Sequence, residues 1–212
     1  MLQYELNKIA HGSTAAYEVL DNCGSRVGTA SFPLFLAWVD PISLSLFGTD
    51  STIAPSFVRS AVLPVGAPMD VTTDGAARGI VCGATAGEVV RYTPETLYHA
   101  SIDGLDYTAY AVGRWRKGRF LCVYRRDGDH ETQVAQVDLP TIIDNWLTRN
   151  VLHAIDERTL FVSMLLMLYL EYSQECHRLE CPVRAKDVRL KLTWNKQLKA
   201  KYDPSFLNRL QS

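Results

Sequence analysis

The sequence predicts a mainly β (α+β) fold: a closed antiparallel β-barrel around a central hydrophobic C-terminal helix, followed by a basic C-terminal extension. Three observations predict it. Residues 14–138 are a succession of short extended segments separated by Gly, Asp, Asn and Pro turns, Leu160 to Leu170 is apolar on every helical face, and positive charge concentrates in residues 178–212. A helix without a polar side must be surrounded by apolar material. A closed sheet supplies that wall and removes exposed strand edges. The division that follows is a barrel over residues 1–175, with its helix at about 157–172, and an extension over residues 176–212.

Taken in order, Tyr17-Glu18-Val19-Leu20, the turn cluster Asp21-Asn22-Cys23-Gly24 and Arg26 to Ala30 form a hairpin pattern. From Phe32 to Phe57 apolar residues are punctuated by Pro33, Pro41, Gly48 and Pro55, which suits short barrel strands and excludes a long helix. Glycines at 75, 79, 83 and 87 share the spacing of a membrane helix-packing face. Asp74, Arg78 and Glu88 interrupt any apolar span there, so the segment reads as loop and distorted strand. Thr96 to Ile102, Asp103-Gly104 and Leu105 to Val112 form a hairpin around an Asp-Gly turn. Phe120 to Tyr124, the turn Asp127-Gly128-Asp129 and Thr132 to Val137 extend it into a four-stranded meander.

After Pro140, Ile142, Ile143, Trp146, Leu147, Asn150 and Val151 fall near helical spacing, with Thr141 placed to cap a helix. Asp156 is placed as the N-cap of the apolar helix, with Glu157 near its positive end. In the extension, Val188, Leu190, Leu192 and Trp194 alternate with polar residues as in an amphipathic strand. Asp203-Pro204 then suits the cap and first position of a short helix carrying Phe206, Leu207 and Leu210.

With 47% apolar and 21% charged residues in a chain of 212, disorder and low-complexity scaffolding are excluded. The net charge of -1 is a cancellation: 13 Lys/Arg against 20 Asp/Glu in residues 1–177, and 9 against 3 in residues 178–212. Five scattered cysteines, Cys23, Cys82, Cys122, Cys176 and Cys181, suit no disulfide framework and point to a reducing, cytoplasmic compartment. No secretory signal and no transmembrane segment are expected, because the Leu160–Leu170 stretch is too short to span a bilayer.

The order and texture of these features resemble the tubby-like superfamily, which includes the tubby C-terminal domain, LURP-one-related proteins and phospholipid scramblases. The residues that carry the resemblance are the Tyr17 to Gly24 hairpin, the meander over 96–138 and the terminal hydrophobic helix Leu160 to Leu170. The resemblance implies about twelve strands around the helix. It also implies, from what tubby and the scramblases do, a role at phosphoinositides or other acidic phospholipids.

The candidate binding residues are Arg114, Trp115, Arg116, Lys117 and Arg119, followed one strand later by Arg125 and Arg126. Arg114 and Arg116 share one face of a hairpin while Arg119 and Arg125 share a parity on the returning strand. Arginine suits phosphate because its planar fork donates two hydrogen bonds at once. A solvated edge hairpin is the plain alternative. In the extension, Arg189, Lys191, Trp194, Lys196, Lys199 and Lys201 form a second candidate surface, docked on the chain's own barrel or on a partner.

Cys176-His177 with Cys181 lacks a fourth zinc ligand, Asp127, Asp129 and Glu131 lack the glycine of a calcium loop, and His130-Glu131 is followed by Val134 where a zinc-protease motif needs histidine. No phosphate loop, dinucleotide fingerprint or nucleophile elbow is present. The expectation is a non-enzymatic domain without cofactor or metal, peripheral to a membrane, whose partner is an anionic membrane surface or a protein and not nucleic acid. A protein-interaction or structural module acting through the extension, and an enzyme or small-molecule binder with an unrecognised site, stay open.

Overall fold

The computed structural model describes residues 2–34, 40–56, 67–85, 96–114, 118–140, 142–144, 147–176, 186–188 and 200–211. Its strands are β1 Leu2–His11, β2 Thr14–Asp21, β3 Arg26–Pro33, β4 Ile42–Leu46, β5 Thr49–Pro55, β6 Met69–Thr73, β7 Ala76–Thr85, β8 Thr96–Ile102, β9 Leu105–Arg114, β10 Gly118–Asp127, β11 His130–Leu139, β12 Ile142–Asp144, β13 Arg149–Ala154 and β14 Lys186–Val188. The helices are α1 Glu157–Cys176 and α2 Phe206–Gln211.

Twelve strands close an antiparallel barrel in the order β1-β13-β11-β10-β9-β8-β7-β6-β5-β4-β3-β2, while β12 and β14 pair separately. Successive strands are hairpin neighbours. The exception is β13, which passes over β12 to join β11 on one side and β1 on the other, and so closes the ring.

One end of the barrel is built from tight turns. Phe47-Gly48, Asp74-Gly75 and Asp103-Gly104 all have positive φ at both residues. That is the type I′ geometry whose twist matches paired strands. The Gly128-Asp129 turn and the N-terminus of α1 lie at this end too. Across it the Arg78 guanidinium pairs with both carboxylate oxygens of Asp103 and lies over the Phe161 ring at 5.6 Å. Because neighbouring strands run in opposite directions, the connections after β1, β3, β5, β7, β9 and β11 leave from the other end, where α1 finishes.

Asp156 caps α1 as expected. Its carboxylate accepts the Thr159 N–H at 2.7 Å, and its own N–H donates to Thr159 Oγ1 at 3.1 Å. Leu160 and every residue from Val162 to Tyr172 are buried, so the helix has no solvent side. It forms one apolar cluster with inward residues such as Leu6, Val19, Leu44, Val71, Leu121 and Leu152. Helix and wall thus solve each other's burial problem.

A few polar contacts hold the helix within this apolar sleeve. Lys8 Nζ lies 3.8 Å from Glu171 Oε2 with both side chains buried, the Tyr17 hydroxyl donates to the same carboxylate at 3.4 Å, and the Tyr169 hydroxyl donates to the Ala67 carbonyl at 2.8 Å. Edge-on rings of Phe32 against Tyr172 and Tyr98 against Tyr169 tie the same end to β3 and β8.

The structure corrects the sequence reading in three places. Residues 142–151 form no helix among the described positions: β12 is a strand and β13 alternates Asn150, Leu152 and Ala154 inward. Closure of the barrel demands a strand between β11 and β1, and that overrides helical spacing; Thr141 and Trp146 lie outside the described residues. Ala76–Thr85 is a continuous strand, distorted only at Gly79, where a bulge sits opposite Val71 and Thr72. A Cβ at Gly79 would stand 1.8 Å from the Ser101 carbonyl oxygen, so the residue type permits a close backbone approach. Residues 86–90, including Gly87, lie outside the described residues. Finally, the strands begin at Leu2, and the helix runs past 172 to Cys176. No helix among the described residues is long and apolar enough to cross a membrane.

Candidate functional site

The outer face of β8–β10 is an unusual barrel wall because it too is apolar. Tyr110, Val112, Cys122 and Tyr124 are buried there, outside the ring, beside Leu97, Phe120 and Tyr202. Among the described residues, Tyr202 of the C-terminal segment packs against them. Tyr202 stacks on Phe120 at 5.5 Å between centroids, and Phe206 is 2% exposed. The Tyr124 hydroxyl donates to the Lys201 carbonyl at 2.9 Å, and the Asp203 N–H donates to Gln133 Oε1 at 3.3 Å. Asp203 accepts the Ser205 N–H at 2.8 Å and pairs with Arg209, and Pro204 and Ser205 form a turn, so that α2 begins at Phe206, two residues later than the expected first position at Pro204. This part of the extension therefore docks on its own barrel.

Burial under this cover shapes the local acidities. The Cys122 thiol is pushed up to about 12 by desolvation, and the same cause raises the Tyr110 and Tyr124 hydroxyls above the usual phenol range. Tyr110 and Tyr124 stack nearly parallel, 5.1 Å between centroids.

Beside the docked segment, next to the Gly128-Asp129 turn, opens a cleft of about 540 Å³ lined by Tyr124, Arg126, Asp129, Glu131 and Lys201. Glu131 accepts a hydrogen bond from Thr108 Oγ1 at 3.3 Å and pairs with the Lys201 ammonium. Arg126 donates from Nε to the Gly128 carbonyl at 3.1 Å. Two cationic and two anionic side chains thus share the lining. Among the described lining residues the one hydroxyl is that of Tyr124, whose acidity burial suppresses.

The structure separates the candidate arginines. Arg119 is 9% exposed and donates from Nη1 to the Pro140 carbonyl at 3.3 Å, at the end of the barrel opposite the tight turns. Arg125 and Arg126 stand at the far end of the same strand, and seven residues of strand span roughly 23 Å. One anion cannot be held by both groups. Arg114 ends β9, paired with Gly118. Trp115, Arg116 and Lys117 lie outside the described residues, as do Arg189, Lys191, Trp194, Lys196 and Lys199. Of the amphipathic strand expected from Val188 to Trp194, only Val188 is described, as the last residue of β14.

What the structure does unite is Arg126, from the first candidate group, and Lys201, from the second. The signal for this was partly in the sequence: the ten residues between Gly118 and Asp127 carry no break, so Arg119 and Arg126 had to lie at opposite ends of one strand. The two acidic residues came with the turn and hairpin that follow it.

Among the described residues, no group of three or more His, Cys, Asp or Glu side chains is placed to hold a metal; His177 and Cys181 lie outside them. No protein-family model, curated protein or solved structure matches the chain.

Proposed function

We propose that this chain is a non-enzymatic, tubby-like binding module that holds an anionic phospholipid headgroup, phosphoinositide or other acidic lipid, through the basic segment from Arg114 to Arg119. The observation that carries the reading is the division of labour around the barrel. Its interior is filled by α1, which leaves recognition to the outside, and Arg114 and Gly118 pair where β9 ends and β10 begins, at the end away from the tight turns. The twelve-stranded barrel with an axial helix is also the fold that the tubby-like resemblance implies, which supports the kinship.

Within this reading the residues divide their roles. Arg119 is buried against the Pro140 carbonyl and braces the segment against the end of β11. Headgroup contact falls to Arg114, Arg116 and Lys117, with Trp115 set against the lipid interface. Arg125 and Arg126 take no part. The setting is the cytoplasmic face of a membrane, bound peripherally.

The test is flotation with vesicles of neutral lipid alone or with added acidic phospholipid. Binding is expected only to the acidic vesicles. It should weaken as salt rises and fall sharply when Arg114, Arg116 and Lys117 are replaced together by Gln. Equal binding to both vesicle types, or full binding by the triple variant, overturns the proposal.

A further inference from the structure

The cleft at the other end of the barrel carries a second, independent reading, which does not rest on the one above. Its polar groups are unequally occupied. Glu131 and Lys201 satisfy each other, with Thr108 donating to the second carboxylate oxygen. Arg126 spends only its Nε, on the Gly128 carbonyl. Asp106 and Glu131 stand opposite Arg126 on the neighbouring strands, yet no ion pair joins it to either. Among the described residues, its two terminal amino groups and the Asp129 carboxylate have no partner. The floor beneath them is rigid: Tyr124 is stacked on Tyr110 and tied to the Lys201 carbonyl.

An anion alone would gain the Arg126 fork but meet the Asp129 carboxylate, and a cation alone would meet the reverse. A molecule carrying both charges meets two attractions. We infer that the cleft binds a small dipolar molecule, with a phosphate or carboxylate on the Arg126 guanidinium and an ammonium on the Asp129 carboxylate. The volume accommodates a ligand of a few heavy atoms with room to spare. Because Lys201 forms one wall, the site exists only while the C-terminal segment is docked, and the ligand stabilises that docking by mass action.

The test is calorimetric titration of the full chain with O-phosphoethanolamine, and with ethanolamine and inorganic phosphate as its two halves. The dipolar compound should bind saturably, and each half about tenfold more weakly or worse, since a charge-assisted hydrogen bond is worth about 1.5–3 kcal/mol. Arg126→Gln and Asp129→Asn should each cost a similar factor while leaving the circular dichroism unchanged. Replacing Arg114, Arg116 and Lys117 should change nothing, which keeps this site distinct from the membrane reading. A parallel arm uses phosphatidylcholine vesicles with and without phosphatidylethanolamine: binding there and not to the free compound assigns the dipole to a lipid headgroup. The inference is overturned if neither arm shows binding at millimolar concentration, if inorganic phosphate binds as well as the dipolar compound, or if both variants bind as the parent does.

Discussion

The β8–β10 wall is apolar on both faces, and the two faces are covered in different ways. The inner face packs on α1, a twenty-residue helix buried from Val162 to Tyr172 and enclosed by the whole ring. The outer face packs on a short C-terminal segment whose described contacts centre on Lys201, Tyr202 and Asp203. The inner core cannot open without breaking the barrel. The outer one can open by lifting a segment away, so the same kinds of side chain contribute to global stability on one face and to a local docking equilibrium on the other.

The largest effects should come from the polar contacts of the inner core. A helix apolar on every side gives the barrel little reason to prefer one rotation over another, and Glu171, through Lys8 and Tyr17, sets one together with the Tyr169–Ala67 hydrogen bond. Glu171→Ala removes the carboxylate beside a buried ammonium and should cost about 3–5 kcal/mol in urea unfolding. The double variant Lys8→Met with Glu171→Leu should recover most of that, yet broaden the methyl resonances of α1 as its phase becomes less defined. Full recovery with sharp resonances would show that apolar packing alone sets the phase. Next comes a direct comparison of the faces. Leu166→Ala should lower global stability by about 2–5 kcal/mol. Phe206→Ala should shift the melting temperature less, while hydrogen exchange rises in residues 200–211 and Cys122 becomes reactive towards a thiol reagent. Equal melting shifts with Cys122 still protected would mean that the two faces unfold as one unit.

The inner face was legible in the sequence and the outer one was not. Leu160 to Leu170 admits few packing solutions, so the apolar run implied the sleeve around it, and Asp103-Gly104 marked a hairpin outright. The first strand hid because Lys8 occupies an inward position in Leu2–His11, where alternation calls for an apolar residue; its ion pair with Glu171, 163 positions away, lies beyond any local pattern. The β13 strand hid because Asn150, fully buried, looks polar in a pattern count, although its amide donates to the Leu6 carbonyl at 3.3 Å. The outer core depends on pairing Phe120 with Tyr202 across the chain, which no local period encodes. The cleft escapes the sequence for a related reason: the clustering of basic residues is visible there, but charge alone does not show that the strand between Arg119 and Arg126 keeps them apart.

Acid–base behaviour distinguishes the faces at a smaller scale. Under the docked segment, burial holds the Cys122 thiol near 12 against an ordinary 9.0. A raised value in the folded state means stability that is fully present below about pH 9 and drains away as pH climbs towards 12. Urea midpoints should therefore fall between pH 8 and 11, and less steeply in Cys122→Ala. An identical slope in that variant would assign the alkaline loss to the buried tyrosines Tyr107, Tyr110, Tyr124 and Tyr169, whose hydroxyls are raised by the same burial.

The smallest effect separates charge from backbone in the docking itself. Lys201 contributes twice: its ammonium pairs with Glu131 at a half-exposed site, and its carbonyl accepts the buried Tyr124 hydroxyl. Exposed ion pairs are worth about 1 kcal/mol or less and fade with salt. Lys201→Gln keeps the carbonyl, so exchange protection of residues 200–211 should stay near the parent value and lose its salt dependence. Tyr124→Phe removes the hydroxyl and leaves a carbonyl without its donor, for about 0.5–1.5 kcal/mol. If Lys201→Gln releases the segment while Tyr124→Phe does not, the outer cover is held by charge, and the comparison between an apolar inner core and an apolar outer core fails at its second term.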